Sequence, residues 1–158
     1  MNARVQRLRA DIAGDKQAFL NRLAVLDRVD PVESPDEASL ALVAWSLHHA
    51  YCALESVLER TSRVLEGGPP EGPDWHRELL DGAFREIMEV RPIVFERDVS
   101  LPLHDLRGFR HVVRHAYDMV LDAQALARLR AAALSLRAPV IRDIDAFDAW
   151  LEAVARLG

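Results

Sequence analysis

The sequence has little of what would tie the chain covalently, spread it over nucleic acid or anchor it in a bilayer. Its one cysteine, Cys52, excludes an internal disulfide and points to a reducing compartment. Only 7 glycines are present, and no apolar alternation of useful length accompanies them, so strands have no signal. No apolar run approaches the roughly 18 residues of a membrane span, and no signal-peptide pattern is visible. The expectation is a soluble, cytoplasmic protein with no membrane partner. A basic excess is missing as well: 20 Lys and Arg stand against 25 Asp and Glu, a net charge of -5. A protein that coats nucleic acid is usually basic overall, so positive potential here must be confined to a local site. The 6 histidines show no metal-ligand spacing, and neither a metal nor another cofactor is expected.

What is present is an ordinary globular balance, 50% hydrophobic and 28% charged over 158 residues, enough for one domain spanning 1–158. Apolar positions recur at helical spacing throughout. A first helix runs from Asn2 to Arg28 on Val5, Leu8, Ile12, Phe19, Leu23 and Leu26, with a weak layer at Asp15 and Lys16. Ser34, Pro35 and Glu37 form a capping signal for a second helix. That helix carries Leu40, Val43, Leu47, Ala50, Leu54, Val57 and Thr61 in heptads and stops at Gly67 and Gly68. Asp74 caps a third helix, which runs from Trp75 to about Glu89 with Leu79, Ala83, Ile87 and Val90 inward and Trp75 as a packing anchor. A fourth restarts at Ser100 and Pro102. A last one follows Asp122 on Leu126, Leu129, Ala133, Leu136, Val140, Phe147, Leu151 and Val154, kinked near Pro139. The fold class is therefore all-α, an antiparallel bundle of about five helices.

Chemistry concentrates in the fourth helix, between Arg107 and Asp118. Arg107, Arg110, Arg114, His111, His115, Tyr117 and Asp118 lie beside an apolar stripe of Leu106, Phe109, Val113, Ala116 and Val120. Arg110 and Tyr117, seven apart, share one flank, while His111 and His115 are i, i+4 neighbours on the far side. Two readings fit: an electropositive interface for an acidic partner, or a site for phosphate chemistry. Arg offers a rigid fork of donors for phosphate oxygens, and His exchanges protons near neutrality. Together they form a minimal metal-free set for a phosphodiester.

Arg110, four residues, His115, one residue, Tyr117 resembles the Arg-x4-His-x-Tyr signature of HepT-like proteins in the HEPN superfamily. The surrounding residues from Phe109 to Tyr117 and the earlier stretch from Asp74 to Leu80 resemble that family too, and the likeness covers roughly Leu40 onward. The resemblance implies a metal-independent endoribonuclease toxin with Arg110 and His115 catalytic. His111 and Arg114 are candidates for phosphate contact or a second proton transfer. It further implies a minimal nucleotidyltransferase antitoxin that adenylylates Tyr117. The resemblance raises His76 and Arg77 as further candidates, while His48 and His49 read as satisfied or surface residues and Tyr51 as a residue able to approach the basic face. Geometry adds its own argument: five positions set Arg110 and His115 about 140° apart on one helix. Two copies facing across a two-fold axis can bring Arg and His together, so a homodimer with a composite cleft on RNA is expected. The rival is a non-enzymatic nucleotide- or substrate-binding subunit of a nucleotidyltransferase complex, followed by an inert dimerisation bundle.

Overall fold

In the computed structural model, residues 2–115 and 121–157 are described, the side chains of Arg114 and His115 excepted. Among these residues six α-helices form: α1 (Ala3–Arg28), α2 (Glu37–Thr61), α3 (Trp75–Ala83), α4 (Ser100–His115), α5 (Ala123–Ser135) and α6 (Arg137–Leu157). The chain is an all-α bundle.

The apolar spacing names the core. Val5, Leu8, Ile12, Phe19, Leu23 and Leu26 of α1 are the buried residues of that helix. The heptad positions of α2 from Leu40 to Thr61 are buried as well. The weak layer of α1 is filled by ion pairs: Asp15 meets Arg60 of α2 at 2.8 Å and Lys16 meets Asp145 of α6 at 2.6 Å. The α6 pair, with Arg9 on Asp148 and Glu152, sets α6 antiparallel to α1. Helix α2 is the axis of the bundle, in contact with α1, α3, α4 and α5.

Four local expectations are corrected. Asp36, not Ser34, caps α2: its carboxylate accepts from Ser39 N, and Ser39 Oγ donates to it as well. Those two bonds, side chain first, hold the Asp36 carboxyl below its ordinary range. The second helix passes through a π-turn at Ser62–Glu66 and stops at Gly67, whose φ of 87° is left-handed. Asp74 makes no capping bond to α3 and pairs with Arg77 at 3.1 Å instead.

Helix α3 ends at Ala83 rather than Glu89. The reason lies far along the chain: buried Arg91 donates to the carbonyls of Gly82, Arg85 and Pro92 and pairs with Glu66. The Ala83 carbonyl accepts from Val94 N and Phe95 N. With those carbonyls taken, the helix cannot continue, and Ile87 and Met88 face solvent. Lastly, the sixth helix arises because the expected kink near Pro139 is a break at Leu136. Pro139 then sits in the first turn of α6, where its missing N–H has no intrahelical acceptor to lose.

Candidate functional site

Helix α4 is set by a 3-10 turn, Arg97–Val99, whose Val99 is buried, and by Leu103 and Leu106, both fully buried. Phe109 packs against the same core. With that stripe inward, the next position, Arg110, swings toward the junction of α2 and α3. Its side chain is only 13% exposed and meets Glu55 of α2 at 3.3 Å. Glu55 is itself 4% exposed and bonds His76 of α3 at 2.8 Å. The third side closes the figure: Arg110 Nη1 lies 3.2 Å from His76 Nε2.

This triangle fixes proton positions. A guanidinium only donates, so His76 Nε2 must accept from Arg110. The ring proton therefore sits on Nδ1, where it is donated to Glu55 Oε2. Glu55 is a buried carboxylate whose charge is matched on one side by a cation and on the other by a neutral imidazole. An unmatched charge at that depth would cost several kcal/mol. Trp75, half-buried against the core, covers the His76 ring with centroids 3.5 Å apart. One guanidinium nitrogen, Arg110 Nε, is buried with no hydrogen-bond partner.

Tyr51 lies one turn before Glu55 on α2 and is fully buried. Its hydroxyl faces the Glu55 carboxylate without completing a hydrogen bond. Burial first, then the Glu55 charge, push its pKa well above the ordinary value against the opposing pull of Arg107 and Arg110. It is a neutral phenol at any physiological pH. One turn earlier on α4 a similar arrangement recurs nearer the surface. Arg107 Nε donates to His104 Nδ1 at 3.3 Å, and His104 Nε2 meets Asp81 at 3.0 Å.

The expected residues divide accordingly. Arg110, His76 and Tyr51 come together. Arg77 does not join them, being paired with Asp74. His111 is exposed, one position from Arg110 and so about 100° around the helix. The side chains of Arg114 and His115, and all of Tyr117, lie outside the described residues. His48 contacts Cys52 at 3.7 Å, and His49 bonds the Trp45 carbonyl at 2.9 Å while stacking on the Trp45 ring. Glu55 was not anticipated. Its signal was an acid placed i+4 from Tyr51 within an otherwise apolar turn of α2.

Among the described residues, no group of three or more His, Cys, Asp or Glu is placed to hold a metal, and no helix is long and apolar enough to cross a membrane. A cleft of about 430 Å³ opens at the far end of α3, between Glu66, Glu78, Glu86 and Met88. It shares no residue with the Arg110 junction, and each guanidinium nitrogen of its buried Arg91 is bonded to protein.

Neither a curated protein nor a solved structure matches the chain significantly. A family model described as HepT-like protein matches residues 42–151, well over half of the chain and the whole span that carries Glu55, His76 and Arg110.

Proposed function

The chain belongs to the HepT-like family, and from that premise we propose that it is a homodimeric, metal-independent endoribonuclease of a toxin–antitoxin pair. In this reading the RNA 2′-OH attacks the adjacent phosphorus and the 5′-oxygen leaves, giving a cyclic phosphate and a 5′-hydroxyl. Arg110 holds the phosphate and neutralises the charge that grows on it in the transition state. His115 moves a proton at one of the two oxygens. His111 and Arg114 serve phosphate contact or the second proton transfer. DNA, without the 2′-OH, is resistant.

The observation that carries the reading is the state of Arg110. A motif-helix guanidinium is held at the meeting of three helices, on charge-matched partners, with its Nε buried and without a hydrogen-bond partner. A phosphate oxygen is the group such a nitrogen lacks. Dimerisation is supported by large apolar side chains left exposed on the helices of the site, Leu42 and Trp45 on α2 and Val112 on α4. The two-fold pairing of this reading is the one that sets Arg110 of one protomer against His115 of the partner subunit. Tyr117, seven positions after Arg110 in the sequence motif, is the modification site in this reading. A nucleotidyltransferase antitoxin that adenylylates it would place a phosphate against Arg110 and fill the cleft.

One observation favours a second reading. Two of the three Arg110 nitrogens already have partners inside the chain, which also suits a non-enzymatic nucleotide-binding subunit of a nucleotidyltransferase complex. The two separate on a single assay: purified protein of verified unmodified mass, RNA and DNA substrates, and excess chelator. Cleavage of RNA alone, lost in His115→Ala and Arg110→Ala, supports the ribonuclease. Nucleotide binding with no cleavage by the wild type replaces it with the binding subunit.

A further inference from the structure

We propose that His76 is a second proton-transfer residue of this site, with Glu55 as its positioning residue; the inference rests on the ribonuclease reading above. It follows from how the triangle must open when a phosphodiester arrives. At rest the Nε2 lone pair of His76 is occupied by Arg110 Nη1 at 3.2 Å. A phosphate is a far better partner for a guanidinium than a neutral imidazole nitrogen, because the bond is charge-assisted and two-pronged. Substrate therefore draws Nη1, together with the unpartnered Nε, onto the phosphate oxygens. That exchange releases the Nε2 lone pair within a hydrogen-bond length of the guanidinium, and so beside the bound phosphate.

Glu55 gives the freed nitrogen its use. It holds Nδ1–H at 2.8 Å, which keeps the lone pair on Nε2 and stabilises the imidazolium formed once a proton is taken. A buried carboxylate orients a catalytic histidine by the same logic in hydrolase triads. The balance is complete. His76 Nε2 takes the 2′-OH proton as the O2′–P bond forms, the P–O5′ bond breaks, and His115, protonated at the start, gives its proton to the leaving oxygen and regains one from water. His76 then loses its proton to water. Neither oxidant nor co-reactant is needed.

The surroundings single out this pair over its surface counterpart. The groups facing His76 are Glu55 and, beyond it, Tyr51 from α2, Arg110 from α4, and the Trp75 ring on its own helix. Glu55 is 4% exposed, whereas the Asp81 behind His104 is 49% exposed. Water screens the second pair and not the first. His76 itself keeps 22% of its side chain exposed, enough for a substrate oxygen to reach it.

The test compares wild type, His76→Asn, His76→Gln and Glu55→Gln in single-turnover RNA cleavage with chelator across about pH 5 to 9, alongside thermal unfolding. Asn at 76 keeps a donor for Glu55 and has no titrating nitrogen. The expected result is a folded His76→Asn protein that binds a 2′-deoxy-substituted oligonucleotide within about threefold of wild type. It cleaves RNA about 100-fold more slowly or worse, and one limb of the pH profile is lost. A variant that cleaves within about threefold of wild type with an unchanged profile overturns the proposal and leaves the ribonuclease reading standing. A wild type inert on RNA overturns that reading first, and the role of His76 with it. Should the variants unfold, ring-nitrogen NMR of the wild type decides. A neutral Nδ1–H tautomer that changes its Nε2 signal on binding the same oligonucleotide supports the proposal, and an Nε2–H tautomer or an unmoved signal overturns it.

Discussion

The Glu55 carboxylate and the Arg110 guanidinium meet at 3.3 Å with 4% and 13% of their side chains exposed, so the cation of the motif helix is anchored in the bundle core. The pair makes folding and the site depend on the same residues. Arg110→Ala leaves Glu55 buried beside His76 alone and is expected to cost about 3 kcal/mol in urea unfolding. Joint replacement by Leu at 55 and Met at 110 recovers most of that loss. If the single change costs nothing, the pair is not formed in solution. Activity losses in Arg110 variants must accordingly be read on the folded fraction, and Arg110→Lys, which keeps a charge for Glu55 but not the fork, is the more informative change.

Tyr51 supplies a dependence on alkaline pH. Its folded pKa is raised by burial and by Glu55, so its contribution is intact below the unfolded tyrosine value of about 10 and is lost as pH rises above it. The wild type should lose stability above that pH more steeply than Tyr51→Phe. At neutral pH the Phe variant should be neutral to about 1 kcal/mol more stable, since it removes a buried hydroxyl that has no partner. Equal alkaline slopes in the two proteins would contradict this placement of Tyr51.

Pro139 separates a broken helix from a bent one. Within a continuous helix, Pro139→Ala would relieve a strain of about 3 kcal/mol. In the first turn of α6 the substitution should change stability by less than about 1 kcal/mol, in either direction. Chemical denaturation distinguishes the two.

How much of this was legible follows from what apolar spacing encodes. The stripes of α1, α2 and the last two helices, from Val5 to Val154, lie where the 3 and 4 spacing puts them, because periodicity records which side of a helix is dry. It does not record what a lone polar residue on that side will meet. Glu55 is hidden in the heptads of α2, and only its neighbours from α3 and α4 make it a site residue. The early stop of α3 was illegible for a similar reason, since Arg91 reaches back to carbonyls set by tertiary structure. Asp36 displaced Ser34 as the cap through a local choice, its carboxylate taking both bonds of Ser39. Of the proposed catalytic pair, Arg110 is among the described residues, while the His115 side chain and Tyr117 lie outside them.

The proposed composite cleft predicts complementation between subunits. Arg110→Lys and His115→Ala homodimers should each be inactive on RNA. Mixed and allowed to exchange, they should regain about a quarter of wild-type activity, because half of the dimers then hold one intact site of two. No recovery after confirmed exchange would place Arg and His of each site in one chain.

The most direct measurement is the chemistry of the ends made from a long RNA in excess chelator, read by mass spectrometry of the fragments. The account predicts cyclic phosphate and 5′-hydroxyl ends from the wild type, none from Arg110→Lys, and intact DNA of the same sequence. Fragments ending in 3′-hydroxyls, cleavage of the DNA, or an inert wild type of unmodified mass would contradict it.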